Sequence, residues 1–285
     1  MSKTKERIRE SQLRYQQGLG QNFIYDDDLL EQLVIASGVG ENDCVLEIGP
    51  GAASLTGHLC DHAKQVVSVE LDERLIPLIR VAMEKHSNFT LVQGDAMTVD
   101  LAALTEAMDG PVSVVANIPY YITTPLLTRL LTSGLRIRHM AVMVQREVAD
   151  KMCAGPGEEG WGMLALRIRQ SCDVLRVVDV PRTWFTPVPK VDSAFVVLEM
   201  RSVPRVQPRS EEDFYRVAAA GFAQRRKTMA NAIMATFRIE KARALEWLER
   251  AGLDEKVRGE KLTLEELCRL SDIYTQEADH DSRQI

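Results

Sequence analysis

Apolar residues along this chain recur in two rhythms. Short continuous runs at Cys44–Ile48, Val66–Glu70, Phe89–Gln93, Val112–Asn117 and His139–Gln145 have the length and composition of buried strands. Between them, Ala53–His62, Glu73–Lys85, Leu101–Met108 and Pro125–Ser133 carry apolar residues at helical spacing. This alternation predicts βαβ units, and hence a parallel sheet covered by helices on both faces. Two further runs, Val174–Val180 and Ser193–Met200, have only loop between them and predict a hairpin at the sheet edge.

The rhythm changes at Arg201–Arg209, a basic, polar, proline-bearing stretch that reads as a linker. Beyond it the pattern is only helical, over Glu211–Ala223, Lys227–Thr236, Glu240–Ala251 and Thr263–Tyr274, with Gly252 at a helix C-cap position. The expected fold is therefore α/β, a Rossmann-like sheet with a small C-terminal α-helical domain. The sheet domain, with an N-terminal basic arm, is expected over 1–203, the helical domain over 210–276, and a frayed polar tail over 277–285.

The 285 residues suffice for two domains without a covalent staple. A hydrophobic content of 45% and a charged content of 27% argue against wholesale disorder. No apolar run approaches the ~18 residues of a membrane span, so no membrane association is expected. The first 17 residues, MSKTKERIRESQLRYQQ, lack the apolar core of a secretory signal. Five cysteines without a CxxC pair make a disulfide framework or a zinc site unexpected. The expectation is a cytoplasmic monomer with no metal.

A net charge of −6 speaks against a nucleic-acid partner until it is resolved along the chain. Residues 18–117 carry −12, whereas 1–17 carry +3, 118–221 carry +3, 222–243 carry +5 and 244–285 carry −5. Screening cuts off distant charges beyond ~8 Å at physiological salt, so a local basic patch binds phosphate whatever the total. Arg225, Arg226 and Lys227 are the strongest such candidates.

The first strand runs into Gly49-Pro50-Gly51, where glycines permit a sharp turn and close approach of a ligand. Glu70 ends the second strand, 21 positions after Gly49, where an acid can accept both hydroxyls of a ribose. The dinucleotide-binding pattern shares this layout, but its third glycine is Ser54 here. Asp95, after the third strand, can accept from the exocyclic amine of an adenine. Three loops at the carboxyl ends of adjacent strands then converge on one crevice, a set that fits S-adenosyl-L-methionine better than NAD.

The fourth strand ends in Asn117-Ile118-Pro119-Tyr120. An amine conjugated to an adenine ring is a poor nucleophile because its lone pair is delocalised. The Asn117 side-chain oxygen and the Ile118 carbonyl can hold its two hydrogens and favour a pyramidal nitrogen. Pro119 fixes φ and restrains Ile118, and Tyr120 can stack on the base.

The chain also resembles a known family. Gly18-Leu-Gly-Gln-Asn22-Phe-Ile24 is similar to the signature of the ribosomal RNA adenine N6,N6-dimethyltransferases. Leu46–Gly51, Val69–Asp72, Gly94–Ala96, Asn117–Ile122, Met143–Val148, Phe185–Ser193 and Phe222–Thr228 follow in the family's order, from about residue 14 to 274. The match is strongest to the bacterial branch that acts on small-subunit 16S rRNA. The resemblance implies dimethylation of two adjacent adenosines in a hairpin loop near the 3′ end of that RNA, within an immature small ribosomal subunit, and a part in ribosome biogenesis.

It also implies roles: Asn22 and Ile24 covering the cofactor, Gly49 against its methionine portion, Glu70 on the ribose, Asp95 on the adenine amine, and Asn117 between cofactor and target. Phe185 would stack on the target base opposite Tyr120. Its alternative is a core aromatic, but the flanking Pro187 and Pro189 favour a surface loop. The sequence departs from the family at Ala53, often glycine, at Gln16-Gln17, often basic, and at Trp161-Gly162-Met163, often Tyr-Gly-Arg. Competing readings are a 23S rRNA adenine dimethyltransferase of the antibiotic-resistance type, a DNA N6-adenine methyltransferase, an NAD oxidoreductase, and a mainly non-catalytic small-subunit assembly factor. The Phe185–Ser193 run and Gln224–Thr228 favour the small-subunit enzyme.

Overall fold

A computed structural model describes residues 22–283. The basic arm, Gln16-Gln17 and the first four residues of the Gly18–Ile24 signature lie outside the described residues. The chain divides into two compact units, one made of residues up to Ala149 with Asp173–Met200, the other of Asp150–Cys172 with the residues from Arg201 onward. The single boundary expected near 203 is thus replaced by three crossings. The physical reason is that Trp161, Ala165 and Leu166 pack with Phe214 and Val217 in the helical core.

The sheet unit contains β1 (Phe23–Ile24), α1 (Asp27–Ser37), β2 (Cys44–Ile48), α2 (Ser54–His62), β3 (Gln65–Glu70), α3 (Ile76–Met83), β4 (Phe89–Gln93), α4 (Leu101–Glu106), β5 (Val112–Asn117), α5 (Thr123–Thr132) and β6 (Ile137–Gln145). The chain then forms α6 (Arg146–Cys153) and α7 (Met163–Ser171). It returns through β7 (Cys172–Val180), β8 (Phe185–Thr186) and β9 (Ser193–Met200).

Seven strands form one sheet in the order β4-β3-β2-β5-β6-β9-β7. Those from β2 to β6 are parallel, while β9 runs antiparallel to β6. The expected edge hairpin is present as neighbouring β7 and β9, with β9 on the inside. Every residue of β2 is buried, as a strand covered on both faces requires. The chain leaves β2 toward β3 on one side and returns to β5 on the other, so their carboxyl ends diverge into a crevice.

Helix α1 was not among the expected elements. Asp26 caps it by accepting from Leu29 N at 2.9 Å, Asp27 and Asp28 fill its first turn, and Gly38 closes it with φ 75°. Its buried face, Leu30, Leu33 and Val34, joins the sheet-unit core.

The helical unit holds α7, α8 (Glu211–Ala223), α9 (Met229–Phe237), α10 (Lys241–Arg250) and α11 (Leu264–Arg283). Trp161 is 1% exposed and donates from Nε1 to the Leu262 carbonyl at 3.2 Å. Gly259 lies so close to α8 that a Cβ there would meet Gly221 Cα at 2.4 Å. The expected frayed tail is corrected: α11 continues to Arg283. Glu277 on that extension accepts from Arg243 Nη2 at 3.0 Å and Arg250 Nη1 at 2.6 Å. Among the described residues, no helix is long and apolar enough to cross a membrane.

Candidate active site

The crevice at the β2–β5 divergence is a cleft lined by residues from all three expected loops. Gly49 and Gly51 turn the chain with φ 73° and 59°. A Cβ on Gly51 would lie 2.7 Å from Phe23 Cε1, so only glycine fits between the turn and that ring. Gly51 N donates to Glu70 Oε2 at 3.0 Å, and Asp72 N donates to Oε1 at 2.8 Å. Glu70 therefore ties the first loop to the second while keeping acceptor capacity on both oxygens. Its burial pushes the carboxyl pKa up, and the amides of Asp72 and Gly51 oppose that shift.

The third loop is held to the second by Gly94 N donating to the Glu70 carbonyl at 2.9 Å. Asp95 Oδ1 accepts from Met97 N at 2.8 Å, which orients its carboxylate at the cleft wall. Arg129 on α5 braces this loop by donating to the carbonyls of Ala96 and Val99.

At the end of β5, Asn117 Nδ2 donates to the Asn22 carbonyl at 3.0 Å. That bond fixes the amide orientation and leaves Oδ1 as the acceptor. Ile118 N donates to the Met143 carbonyl of β6 at 3.3 Å, which locks the strand end. Pro119 then leads into a single 3₁₀ turn, Tyr120–Ile122. Tyr120 OH lies 2.9 Å from Ser193 Oγ, and burial pushes its pKa up against that bond. Asn22, Ile24, Gly49, Gly51, Glu70, Asp95, Asn117, Ile118, Pro119 and Tyr120 all line the one cleft.

Two expectations are corrected. Phe185 is 1% exposed and packs in the sheet-unit core, not on a surface loop. Its strand β8 pairs with β1, Phe185 opposite Ile24, and the proline-bearing turn begins only after it. Phe185 is not among the residues lining the cleft. Arg225, Arg226 and Lys227 are exposed in the turn between α8 and α9, so the helix expected from Lys227 begins only at Met229. Within the helical unit, Arg225 Nη2 donates to the Trp161 carbonyl at 3.0 Å.

Sequence reasoning missed Glu47, a fully buried acid in the cleft lining. It accepts from Ser68 Oγ at 2.6 Å and from Thr56 Oγ1 at 2.9 Å. Burial pushes its pKa up to about 7, opposed by those hydroxyls and aided by the nearby Glu70. A glutamate inside the otherwise apolar Cys44–Ile48 run was the available signal. Ser54 was missed as well; its buried Oγ has no hydrogen-bond partner among the described residues and lies in the lining at the start of α2.

A doubly wound sheet, a glycine turn after its first parallel strand, a ribose-type acid after the second and an Asn-Ile-Pro-Tyr end on the fourth define a class, the S-adenosyl-L-methionine-dependent methyltransferases. Comparison with known proteins narrows the class. The Ribosomal RNA adenine dimethylase family model matches residues 12–276, and the chain belongs to that family. It is thus an S-adenosyl-L-methionine-dependent rRNA adenine dimethyltransferase.

Relatives include the Ribosomal RNA small subunit methyltransferase A of Clostridium botulinum strain Kyoto, 38% identical over 269 residues, covering 94% of this chain and 97% of the relative. The protein of that name from Clostridium acetobutylicum is 39% identical over 273 residues, with the same coverage. Among solved structures, a dimethyladenosine transferase from Plasmodium falciparum shares the fold with a TM-score of 0.76, at 24% identity over 90% of this chain and 98% of its own. The 23S rRNA methyltransferase ErmE matches with a TM-score of 0.66 and 26% identity over 88% and 98% of the two chains.

Proposed function

We propose that this enzyme methylates the N6 amines of two adjacent adenosines in a hairpin loop near the 3′ end of 16S rRNA, acting as a cytoplasmic monomer on an immature small ribosomal subunit. The small-subunit target is supported by relatives of that name matching over 94% of this chain. The chemistry is supported above all by the Asn117–Asn22 bond, which presents Oδ1 as an acceptor at the cleft.

The cleft suits the cofactor. It offers the Glu70 carboxylate for two ribose hydroxyls, the Asp95 carboxylate for an adenine amine, the Ser54 Oγ, unpartnered among the described residues, and a narrow glycine turn. Bound S-adenosyl-L-methionine supplies an electrophilic methyl group on a sulfonium. Asn117 Oδ1 and the Ile118 carbonyl accept hydrogen bonds from the two N–H groups of the target amine, which directs its lone pair away from the ring, and the proton released after methyl transfer passes to solvent. Pro119 holds Ile118 in place, and the Tyr120 ring, anchored through Ser193, gives the base one face to lie on. No general base with a shifted pKa is needed before attack, because the sulfonium leaving group drives the transfer.

The test is incubation with radiolabelled S-adenosyl-L-methionine and under-methylated small subunits, with the label mapped on the RNA. Label on adjacent adenosines of the 3′ hairpin is expected. Asn117→Ala should abolish transfer while keeping cofactor affinity within a few-fold. Label on 23S rRNA alone would favour the resistance-type reading, and near-normal transfer by the variant would overturn the role given to Asn117.

A further inference from the structure

Both ends of one loop in the sheet unit are tied to the cleft. At its start, Trp184 closes a 3₁₀ turn (Arg182–Trp184), and the next residue, Phe185, pairs with cleft-lining Ile24. Consecutive Cα atoms are about 3.8 Å apart and antiparallel partners about 5 Å, so the Trp184 backbone stands within about 10 Å of Ile24. At its end, Ser193 Oγ meets Tyr120 OH at 2.9 Å.

Between these anchors the loop exposes large apolar side chains: Trp184 is 41% exposed, Val188 59% and Val191 44%. The other tryptophans, Trp161 and Trp247, are 1% and 2% exposed. Arg182 and Lys190 are exposed beside them. Arg182 Nη1 donates to the Lys190 backbone carbonyl at 3.2 Å, which ties the two sides of the loop together. The carboxylate of Asp192 accepts from Arg182 N at 2.8 Å, so it serves the loop's own backbone.

An exposed indole flanked by cations at the rim of a nucleobase cleft has the chemistry of a single-stranded RNA platform. The ring face takes any base, and the cations take phosphates. We propose that Trp184 stacks on an unpaired nucleotide next to the target adenosine, while Arg182 and Lys190 contact the flanking phosphates. The proposal rests on the target lying in an unpaired loop, as inferred above. With two adjacent adenosines, the one not in the cleft is the natural occupant of this platform. The positive charge complements phosphate, and the loop is continuous with the site where the base reacts.

Trp184 is the exposed fluorophore among the three tryptophans, so stacking is directly readable. Titration with the under-methylated small-subunit RNA hairpin should quench wild-type emission and leave Trp184→Phe emission unchanged. Trp184→Ala should raise KM for RNA about tenfold, the loss expected for one stacked base, with cofactor affinity and melting temperature near wild type. Trp184→Phe should recover most of that loss. Arg182→Gln and Lys190→Gln should each lower the log–log salt slope of RNA binding by about 0.7. Absence of quenching at RNA concentrations that support methylation, or a wild-type KM in Trp184→Ala, would overturn the platform, as would quenching by a ribosomal protein and not by RNA. Should wild-type enzyme label another RNA, the proposed target fails, and the same titration on that RNA still decides the role of Trp184.

Discussion

Glu47 shows how one side chain sets a pH dependence. It is fully buried, and its pKa in the folded chain is about 7 against 4.5 for the free group. A folded pKa above the unfolded one means that its contribution is fully present below about pH 4.5 and is lost as pH rises toward 7. That span corresponds to about 3 kcal/mol. Glu47→Gln cannot ionise, yet it keeps an oxygen for Ser68 or Thr56 and an amide for the other hydroxyl. The variant should match wild type near pH 4 and become more stable at pH 8 by up to about 3 kcal/mol. Chemical denaturation at the two pH values checks this; a constant gap would mean that Glu47 does not titrate in this window. Cofactor loops built against an ionising, buried acid are held less firmly than their hydrogen bonds alone suggest.

At the scale of elements, backbone conformation decides which substitutions help. Arg238 caps α9 with φ 57°, its N–H bonded to the Met234 carbonyl, and its side chain is exposed. A left-handed non-glycine residue costs about 1–2 kcal/mol, while glycine gives back about 0.4–1 through the unfolded chain. Arg238→Gly should therefore stabilise the protein by about 0.5–1 kcal/mol. A thermal melt should show a rise of about 2 °C, and a fall would place the strain elsewhere. Ala53 shares that conformation at φ 58° but is only 6% exposed in the core. Glycine there forfeits a buried methyl worth about 0.8 kcal/mol, which explains how alanine is tolerated where the family often has glycine.

The same scale separates what the sequence disclosed from what it hid. The parallel strands were legible because each is a continuous apolar run ended by a functional turn, and the loops after β2, β3 and β5 were legible through Gly49, Gly51, Glu70 and Asn117. Helix α1 was overlooked although Asp26 and its acidic first turn are ordinary start signals. Phe185 was misplaced because its burial comes from pairing with Ile24, far away in sequence, whereas the adjacent prolines advertise a surface turn. Trp161 stands where the family often has tyrosine, and its core role depends on Leu262, equally remote. Non-local pairing leaves no local periodicity to read.

At the scale of the whole molecule, charge must be reconciled with an RNA substrate. Residues 18–117, which supply most of the cleft, carry −12 and repel phosphate. Affinity for the RNA backbone must then come from basic segments such as 222–243, which carries +5. Within its turn, Arg225 is engaged with the Trp161 carbonyl, whereas Arg226 and Lys227 are exposed beside it. The three cations should therefore behave differently. Arg226→Gln with Lys227→Gln should weaken binding to the small subunit and lower the log–log salt slope by about 1.4–1.8, from about 0.7–0.9 per phosphate contact. Arg225→Gln should change the slope less and lower stability by about 1 kcal/mol, because the Trp161 carbonyl loses a charged donor. Binding measured across a salt series, with melts of each variant, checks both. Equal slope changes for all three residues would return Arg225 to the RNA, and an unmoved slope in the double variant would remove the turn from the interface. If the split holds, most of the phosphate affinity resides in the helical unit, and an acidic catalytic unit can act on a polyanion because it holds the RNA only at the rim of its cleft, through Trp184, Arg182 and Lys190.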